Sequence, residues 1–404
     1  MSELSSTPQT HIQHPKFVSA ALLGVPLLDE ATTGLNALGI PLIHEQLGLS
    51  PAQVLWLFGL STLTSMLLEP LIALLSDFGS KRVWILTSML FLVLGYILLG
   101  AAHDFWLALI ALCLMGIVGK MAIGLSQAAL IDLSPTESTR AMTRWTLLAG
   151  IGDLLVPLLV PAIIGLFFGW MALCWGAALC WLLLWLILCT QRFGTRGTTD
   201  PKPKSRANAL TNNLRAALSD PVMIRWTVLS LIPSMVDEVF QSVITLYLHD
   251  SIHVSNLTLS LLLGGATACS PLALFILDRW HLERRVAPSR LLRWLAILVM
   301  FGFILLLTQQ TLWLVGLALT LINLGAAGWY PIAKGQAYAR FPGRSGTVRA
   351  ITSLGGPLEM ALPNIVGVCI SLGGIIAGIG ILGLAPCFVL LLTLRDRKLN
   401  THQE

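Results

Sequence analysis

Long apolar runs, separated by short polar ones, divide the chain into twelve segments. Their limits lie near 17–43, 52–75, 83–102, 105–131, 141–168, 170–191, 222–248, 256–277, 291–309, 311–338, 347–371 and 373–394. Crossing ~30 Å of hydrocarbon takes about 20 residues, so each segment is long enough to span a bilayer. None shows the wide polar face of a helix lying on a soluble core. Twelve spans consume most of the 404 residues and leave no length for a separate soluble domain. The spacing of basic residues supports this count. Of the 25 Lys and Arg, all but Lys120 and Lys334 fall in the tails, in the even-numbered loops, or within the first few residues of the spans those loops enter. The odd-numbered loops hold none. Basic loops remain cytoplasmic, which predicts a multi-pass protein of the plasma (inner) membrane with both termini in the cytoplasm.

Composition agrees. The chain is 55% apolar and only 11% charged, where a soluble domain carries about 25% charged residues. The net charge of +5 is topogenic and does not point to nucleic acid. The N-terminus, Met1 to Lys16, is polar without a cleavage pattern, and the first apolar run is too long for a signal peptide. All seven Cys lie inside predicted spans and none forms a C-x-x-C pair, so neither a disulfide framework nor a metal site is expected. The phosphate loop G-x-x-x-x-G-K-[ST] is absent, so nucleotide hydrolysis is not expected. No cofactor and no enzymatic activity are implied.

The chain contains two copies of one unit. Asp29-Glu30 recurs as Asp237-Glu238, LIHEQLGLS (42–50) as YLHDSIHVS (247–255), Gln127-Ala128 as Gln336-Ala337, Arg144 as Arg349 and Asp153 as Glu359, all at offsets of about 205–209 residues. Six spans per copy is an even number, so the copies share one orientation and are related by an axis along the membrane normal. The predicted organisation is an N-terminal six-helix bundle (1–191), a linker rich in Thr, Pro and basic residues (192–221) and a C-terminal six-helix bundle (222–404). Residues 205–219 of the linker are predicted to form a short surface helix.

This organisation resembles the major facilitator superfamily. The hallmark of that family after span 2 is a G-x-x-x-D-[RK]-x-G-[RK]-[RK] run. The chain has ALLSDFGSKR (73–82) there, with Ala73 and Phe78 as departures, and LDRWHLERR (277–285) after span 8. The resemblance implies an all-α integral membrane protein working by alternating access. It also implies that Asp77, Lys81, Arg82, Asp278 and Arg279 form contacts that latch the cytoplasmic gate. Features of the drug/proton antiporter branch are faint. LMGIVGK (114–120) in span 4 has no Arg, and GIGDLLVPLLVP (150–161) in span 5 has no Gly-Pro pair.

Nine charges lie inside predicted spans: Asp29, Glu30, Glu69, Lys120, Asp153, Asp237, Glu238, Lys334 and Glu359. A charge at the centre of a bilayer costs about 2.5–3.5 kcal/mol on insertion scales, so such groups face protein or a water-filled cavity. All nine fall in spans 1, 2, 4, 5, 7, 10 and 11, and none in the spans that face lipid in the family. Asp29, Asp153, Asp237 and Glu359 sit roughly 15–22 Å into their spans at 1.5 Å per residue, near the midplane. A close second carboxyl and poor hydration both favour the protonated form. The expected proton-coupling set is therefore Asp29, Glu30, Asp237, Glu238, Asp153 and Glu359. Lys120 is a candidate counter-ion whose acidic partner is left open. Polar neighbours at helical spacing extend the cavity face: Asn36 beyond Asp29, Thr32 and Thr33 in span 1, Gln241 beyond Glu238 in span 7, and Asn323, Tyr330 and Lys334 in span 10. With Lys120 and Gln127 these form the candidate substrate-binding set.

An anion carrier is expected to place Lys or Arg pairs at the centre, whereas seven acids face two lysines here. The resulting expectation is proton-coupled efflux of a cationic or amphipathic small molecule by a monomer embedded in lipid. Uptake by symport of a sugar, nucleoside or amino-acid-like solute uses the same acids. A non-transporting receptor or lipid-handling protein needs none of them.

Overall fold

The computed structural model describes residues 15–38, 43, 46–76, 80–134, 137–165, 169–191, 193, 203–234, 237, 239–284, 286–341 and 344–394. The chain is an all-α membrane protein of twelve transmembrane helices in two six-helix bundles, and no strand occurs among the described residues. Spans 1–6 are single helices: α1 (Pro15–Leu38), α2 (Pro51–Ser76), α3 (Lys81–Gly100), α4 (Phe105–Leu133), α5 (Ser138–Gly165) and α6 (Gly169–Thr190). The linker carries α7 (Pro203–Ser219), which begins two residues earlier than the sequence predicts. Span 7 is split into α8 (Pro221–Ser234) and α9 (Phe240–Leu246), with Asp237 and Val239 in a wider π-helical turn between them and a second π-helical turn following at Tyr247–Ser251. Spans 8 and 9 are α10 (Asn256–Arg284) and α11 (Pro288–Thr308). Span 10 is split into α12 (Leu312–Ala326) and α13 (Trp329–Arg340). Span 11 is α14 (Ser345–Ser353) and the first part of α15 (Gly356–Leu382), and span 12 is the rest of α15 with α16 (Ala385–Leu394).

Local chemistry sets the helix ends. Ser50 and Gln53 form a reciprocal capping box at α2: the Ser50 amide donates to Gln53 Oε1 at 2.8 Å and the Gln53 amide to Ser50 Oγ at 3.3 Å. Asp104 accepts from the Leu107 amide at 2.9 Å to start α4. Proline stands first in α1, α2, α7, α8 and α11, where its missing N–H costs nothing. The turn between spans 11 and 12 is made at Gly374, whose φ of 76° and ψ of 177° lie outside the reach of other residues. Gly378, four residues on, packs against Ile370 of span 11 instead. The Gly374-x-x-x-Gly378 pattern, which reads as helix packing in sequence, thus divides into one turn residue and one contact residue.

Eight stretches among the described residues are long and apolar enough to cross a membrane, and the last of them, Ser345–Leu394, holds two spans. Spans 3, 6, 9 and 12 carry apolar stripes on their outer faces, such as Trp175, Leu179, Leu183 and Leu186 on α6 and Ile297, Phe301 and Ile304 on α11. Exposed apolar area on this scale is stable only against lipid.

The described parts of the even-numbered loops carry basic residues, such as Lys81, Arg140, Arg290 and Arg340, and mark the basic end of the molecule. There α7 packs against α14 and α8. Asp220, at the corner between α7 and α8, accepts from the Val222 amide at 2.9 Å and from Arg340 Nε at 2.7 Å. Burial alone would raise the Asp220 carboxyl. The hydrogen bond from Arg340 and the amides of Val222 and Met223 outweigh it and hold the group below the usual carboxylate range. A depressed value stabilises the folded state above the ordinary carboxylate pKa, and that stability is lost as pH falls through the depressed one. Asp220→Asn is therefore expected to lower the melting temperature slightly at pH 7. The difference from wild type should shrink steadily as melts are repeated below about pH 4, and the partial exposure of the pair keeps it small throughout.

Candidate functional site: a charged cavity above a closed gate

The contacts between the bundles gather toward the basic end. α13 packs on α5, α10 on α5, and α14 on α2 and α4. The closest approach is at Gly335, where a methyl group would lie 2.6 Å from Thr139 Cα and 2.9 Å from its amide nitrogen. One residue on, Gln336 Nε2 donates to Thr139 Oγ1 at 2.9 Å. Tyr338 donates to Gln127 Oε1 at 3.3 Å, and Gln127 is also hydrogen-bonded to Tyr330.

Ion pairs cross between the bundles at two places. Asp278 on α10 accepts from Arg144 Nε at 3.2 Å and from Arg140 Nε at 3.0 Å, both on α5. Glu69 on α2 pairs with Arg349 on α14. Arg144 and Arg349 correspond in the repeat at an offset of 205 residues, whereas Asp278 corresponds to Asp77, as Pro271 does to Pro70, at 201, so the acids of the two pairs stand at different repeat positions. A third contact joins Lys81, at the start of α3, to Asp132 of its own bundle and to Ser345 of the other.

The gating residues read from sequence divide accordingly. Lys81 and Asp278 take part in contacts between bundles. Arg82 does not: its Nη2 donates to the Cys189 carbonyl at 2.6 Å within the N-terminal bundle. Arg279 is exposed and lies 5.6 Å from the Phe275 ring of its own helix. Asp77 lies outside the described residues. Sequence reasoning missed Asp132, Arg140, Ser345 and Arg349 because each stands near a basic-end helix terminus and reads as an ordinary topogenic or loop residue. The recurrence of Arg144 as Arg349 was the available signal.

Beyond these contacts stand the acids of the spans. Asp29 and Glu30 on α1 are half-buried, and Asp153 on α5 and Asp237 between α8 and α9 are exposed. Their charges act on one another. Lys120 is the charge that acts most strongly on Asp29, ahead of Asp153 and Arg349. Glu30 feels Asp29, Asp153, Lys120 and Asp237, and Asp153 feels Asp237. Acids from both bundles therefore face one space. Glu359 is not among the charges that act on them; it acts on Lys334 and Tyr330. Glu238 lies outside the described residues, as does the Asn36 side chain.

The polar candidates also separate. Lys120 is exposed in the cavity. Lys334 is buried and does not snorkel to the surface. It donates to Thr352 Oγ1 at 2.7 Å and lies 5.8 Å from the Tyr330 ring. Gln241 reaches Thr267 Oγ1 at 3.3 Å. Asn323 is hydrogen-bonded to the Leu319 carbonyl of its own helix, and the break after Ala326 separates it from Tyr330 and Lys334. Thr32 is buried and accepts from Trp181 Nε1 at 3.3 Å, so it joins α1 to α6 and does not line the cavity. No group of three or more metal-ligating side chains occurs among the described residues.

The sequence profile of the Major Facilitator Superfamily matches residues 25–362. No curated protein matches the sequence. Solved structures match across nearly all of the chain at low identity. The human organic anion transporter MFSD10 (TETRAN) superposes with a TM-score of 0.74 at 17% identity, covering 94% of this chain and 100% of that one. FucP in its outward conformation gives 0.75 at 16%, covering 94% and 99%. A bacterial homologue of the iron transporter ferroportin in an outward-facing state gives 0.73 at 15%, covering 94% and 98%.

Proposed function

Because the chain belongs to the major facilitator superfamily, whose fold serves secondary transport, we propose that it carries a small organic solute by alternating access in exchange for protons. The direction is efflux and the substrate cationic or amphipathic. With the basic end on the cytoplasmic side, the contacts between the bundles are those that close the path to the cytoplasm. The bundles rock about the midplane, and opening the cytoplasmic side parts Gly335 from Thr139, Asp278 from Arg140 and Arg144, and Glu69 from Arg349.

One observation carries the reading. Asp29 and Glu30 of one bundle are half-buried deep in their span, and Asp153 of that bundle and Asp237 of the other are exposed deep in theirs, on spans that in the superfamily fold surround the central path. Several carboxylates in one poorly hydrated space take up protons more readily than isolated ones, and a cationic solute entering the space displaces those protons. Lys120 restrains the acids near it and sets which of them titrates. Symport stands as the second reading, favoured by one observation: a structural neighbour is an E. coli fucose:proton symporter, and the same carboxylates serve either direction.

The test is proton flux in proteoliposomes loaded with an interior pH dye. Adding a cationic substrate should collapse an imposed pH gradient. Glu30→Gln and Asp237→Asn should reduce that collapse to the level of empty vesicles while the folded protein still reconstitutes. Substrate movement that leaves the dye unchanged, or full proton flux in both variants, rules out this coupling.

A further inference from the structure

The floor of the cavity has the opposite character to its walls. A cleft is lined by Lys120, Arg349 and Glu69 together with the apolar side chains of Ile72, Met121 and Leu125. The lysine and arginine come from different bundles, α4 and α14. Lys120 makes no ion pair within 4 Å among the described residues, and Arg349 has Glu69 as its partner. The charges acting on Glu69 are those of Arg349, Lys120 and Lys334, so one carboxylate here faces three cations. Arg349 lies flat against α4 because residue 124 is glycine; a methyl group there would sit 2.8 Å from Arg349 Nε. A basic pair at the centre is the feature that the sequence lacked for an anion, since Arg349 reads there as a topogenic residue at the mouth of span 11.

We propose that the Lys120–Arg349 cleft is a subsite for the carboxylate of a substrate with an apolar body, and that the carboxylate competes with Glu69 for Arg349. The proposal rests on the transport reading above and narrows its substrate class. The solute carries an anionic group at the floor, and where it is also cationic its positive end faces Asp29, Glu30 and Asp153. A planar guanidinium and a nearby ammonium suit a carboxylate geometrically, and Ile72, Met121 and Leu125 accommodate an apolar body. A second carboxylate beside Glu69 repels it as a like charge. Occupation therefore weakens the Glu69–Arg349 pair that holds the bundles together. Binding and gate release become one event, in the same place.

Benzoate is a suitable probe, with benzamide as its neutral counterpart. Spin labels at Thr190→Cys on α6 and Arg290→Cys on α11, both exposed at the basic end, report separation of the bundles in nanodiscs once the seven native cysteines are replaced. Distances are measured by electron–electron double resonance at matched ionic strength. Benzoate should shift the population toward wider separation and benzamide should not. Lys120→Gln should raise the benzoate concentration needed by roughly tenfold or more, the loss expected from one charge-assisted hydrogen bond. Equal responses to benzoate and benzamide, no response to benzoate, or an unchanged requirement in Lys120→Gln would overturn the subsite. Proton flux driven by a purely cationic compound, lost in Glu30→Gln, would persist in those cases if the transport reading holds. Its absence alongside a benzoate response would overturn that reading and leave the subsite standing.

Discussion

Replacing Gly335 with valine is expected to abolish turnover while leaving the protein folded. Valine fits the helix locally, so the damage falls on the partner. A side chain at this position meets the backbone of Thr139 at 2.6 Å and 2.9 Å, and backbone cannot rotate aside as a long side chain can. Overpacking of this kind costs about 1–3 kcal/mol. Here it is charged to one conformation only, because Gly335 and Thr139 separate when the bundles part at the basic end. A differential of that size moves a two-state equilibrium by roughly 5- to 150-fold. The variant should accumulate with its basic end open, seen as faster labelling of a cysteine introduced at Thr139 and as a shift toward wider separation between labels at positions 190 and 290. Gly264→Val is the control, since nothing lies within 4 Å of a methyl group there; it should transport normally.

Glu69→Gln should act in the same direction by electrostatics. Side chains in the Glu69–Arg349 pair are only 15% and 14% exposed, and removing one partner of a buried ion pair costs about 3–5 kcal/mol because the remaining charge is left in a poor solvent. Lys120 and Lys334 then repel Arg349 with no carboxylate between them. The penalty again applies only while the bundles are closed over Arg349. Adding Arg349→Gln should recover much of it, and a double-mutant cycle on the spin-label populations should return a strong coupling between the two positions. The ion pairs of Asp278 supply an internal comparison. Asp278→Asn leaves Arg144, which is 43% exposed, able to turn toward water, so its effect should be several-fold smaller than that of Glu69→Gln.

The distribution of charge along the chain was enough to read the fold. One lysine-free, arginine-free loop after every second span tied the count to the topology, and six spans per repeat set the symmetry. Span 7 was legible as a segment but its break at Asp237 was not, because Pro233 and an acidic pair resemble features that unbroken helices also tolerate. Single residues of the site were harder to read. Asp29, Glu30, Asp153 and Asp237 could be named because a carboxyl deep in an apolar run is too costly to serve packing alone. Thr32, Asn323 and Gln241 share the helical spacing of a cavity face yet bond to their own bundle, since a rotation of a few tens of degrees decides between a cavity and a neighbouring helix. Arg349 went unrecognised for the opposite reason. Its Cα lies in the second turn of α14, close to the basic end, where arginine is ordinary, and only the long side chain carries the charge to the cleft beside Lys120.

The breaks in the helices are distributed unevenly. Spans 7, 10 and 11 are each interrupted inside the C-terminal bundle, while their counterparts in the repeat, α1, α4 and α5, run unbroken. A continuous helix transmits a push along its axis; one whose α-helical ladder is interrupted bends there more readily. The two bundles are thus unlike as mechanical parts. One behaves as a stiff lever, and the other bends at three points around the cavity, so strain from a bound solute would be absorbed almost entirely on one side. The halves of this repeat have kept a common fold and diverged in compliance.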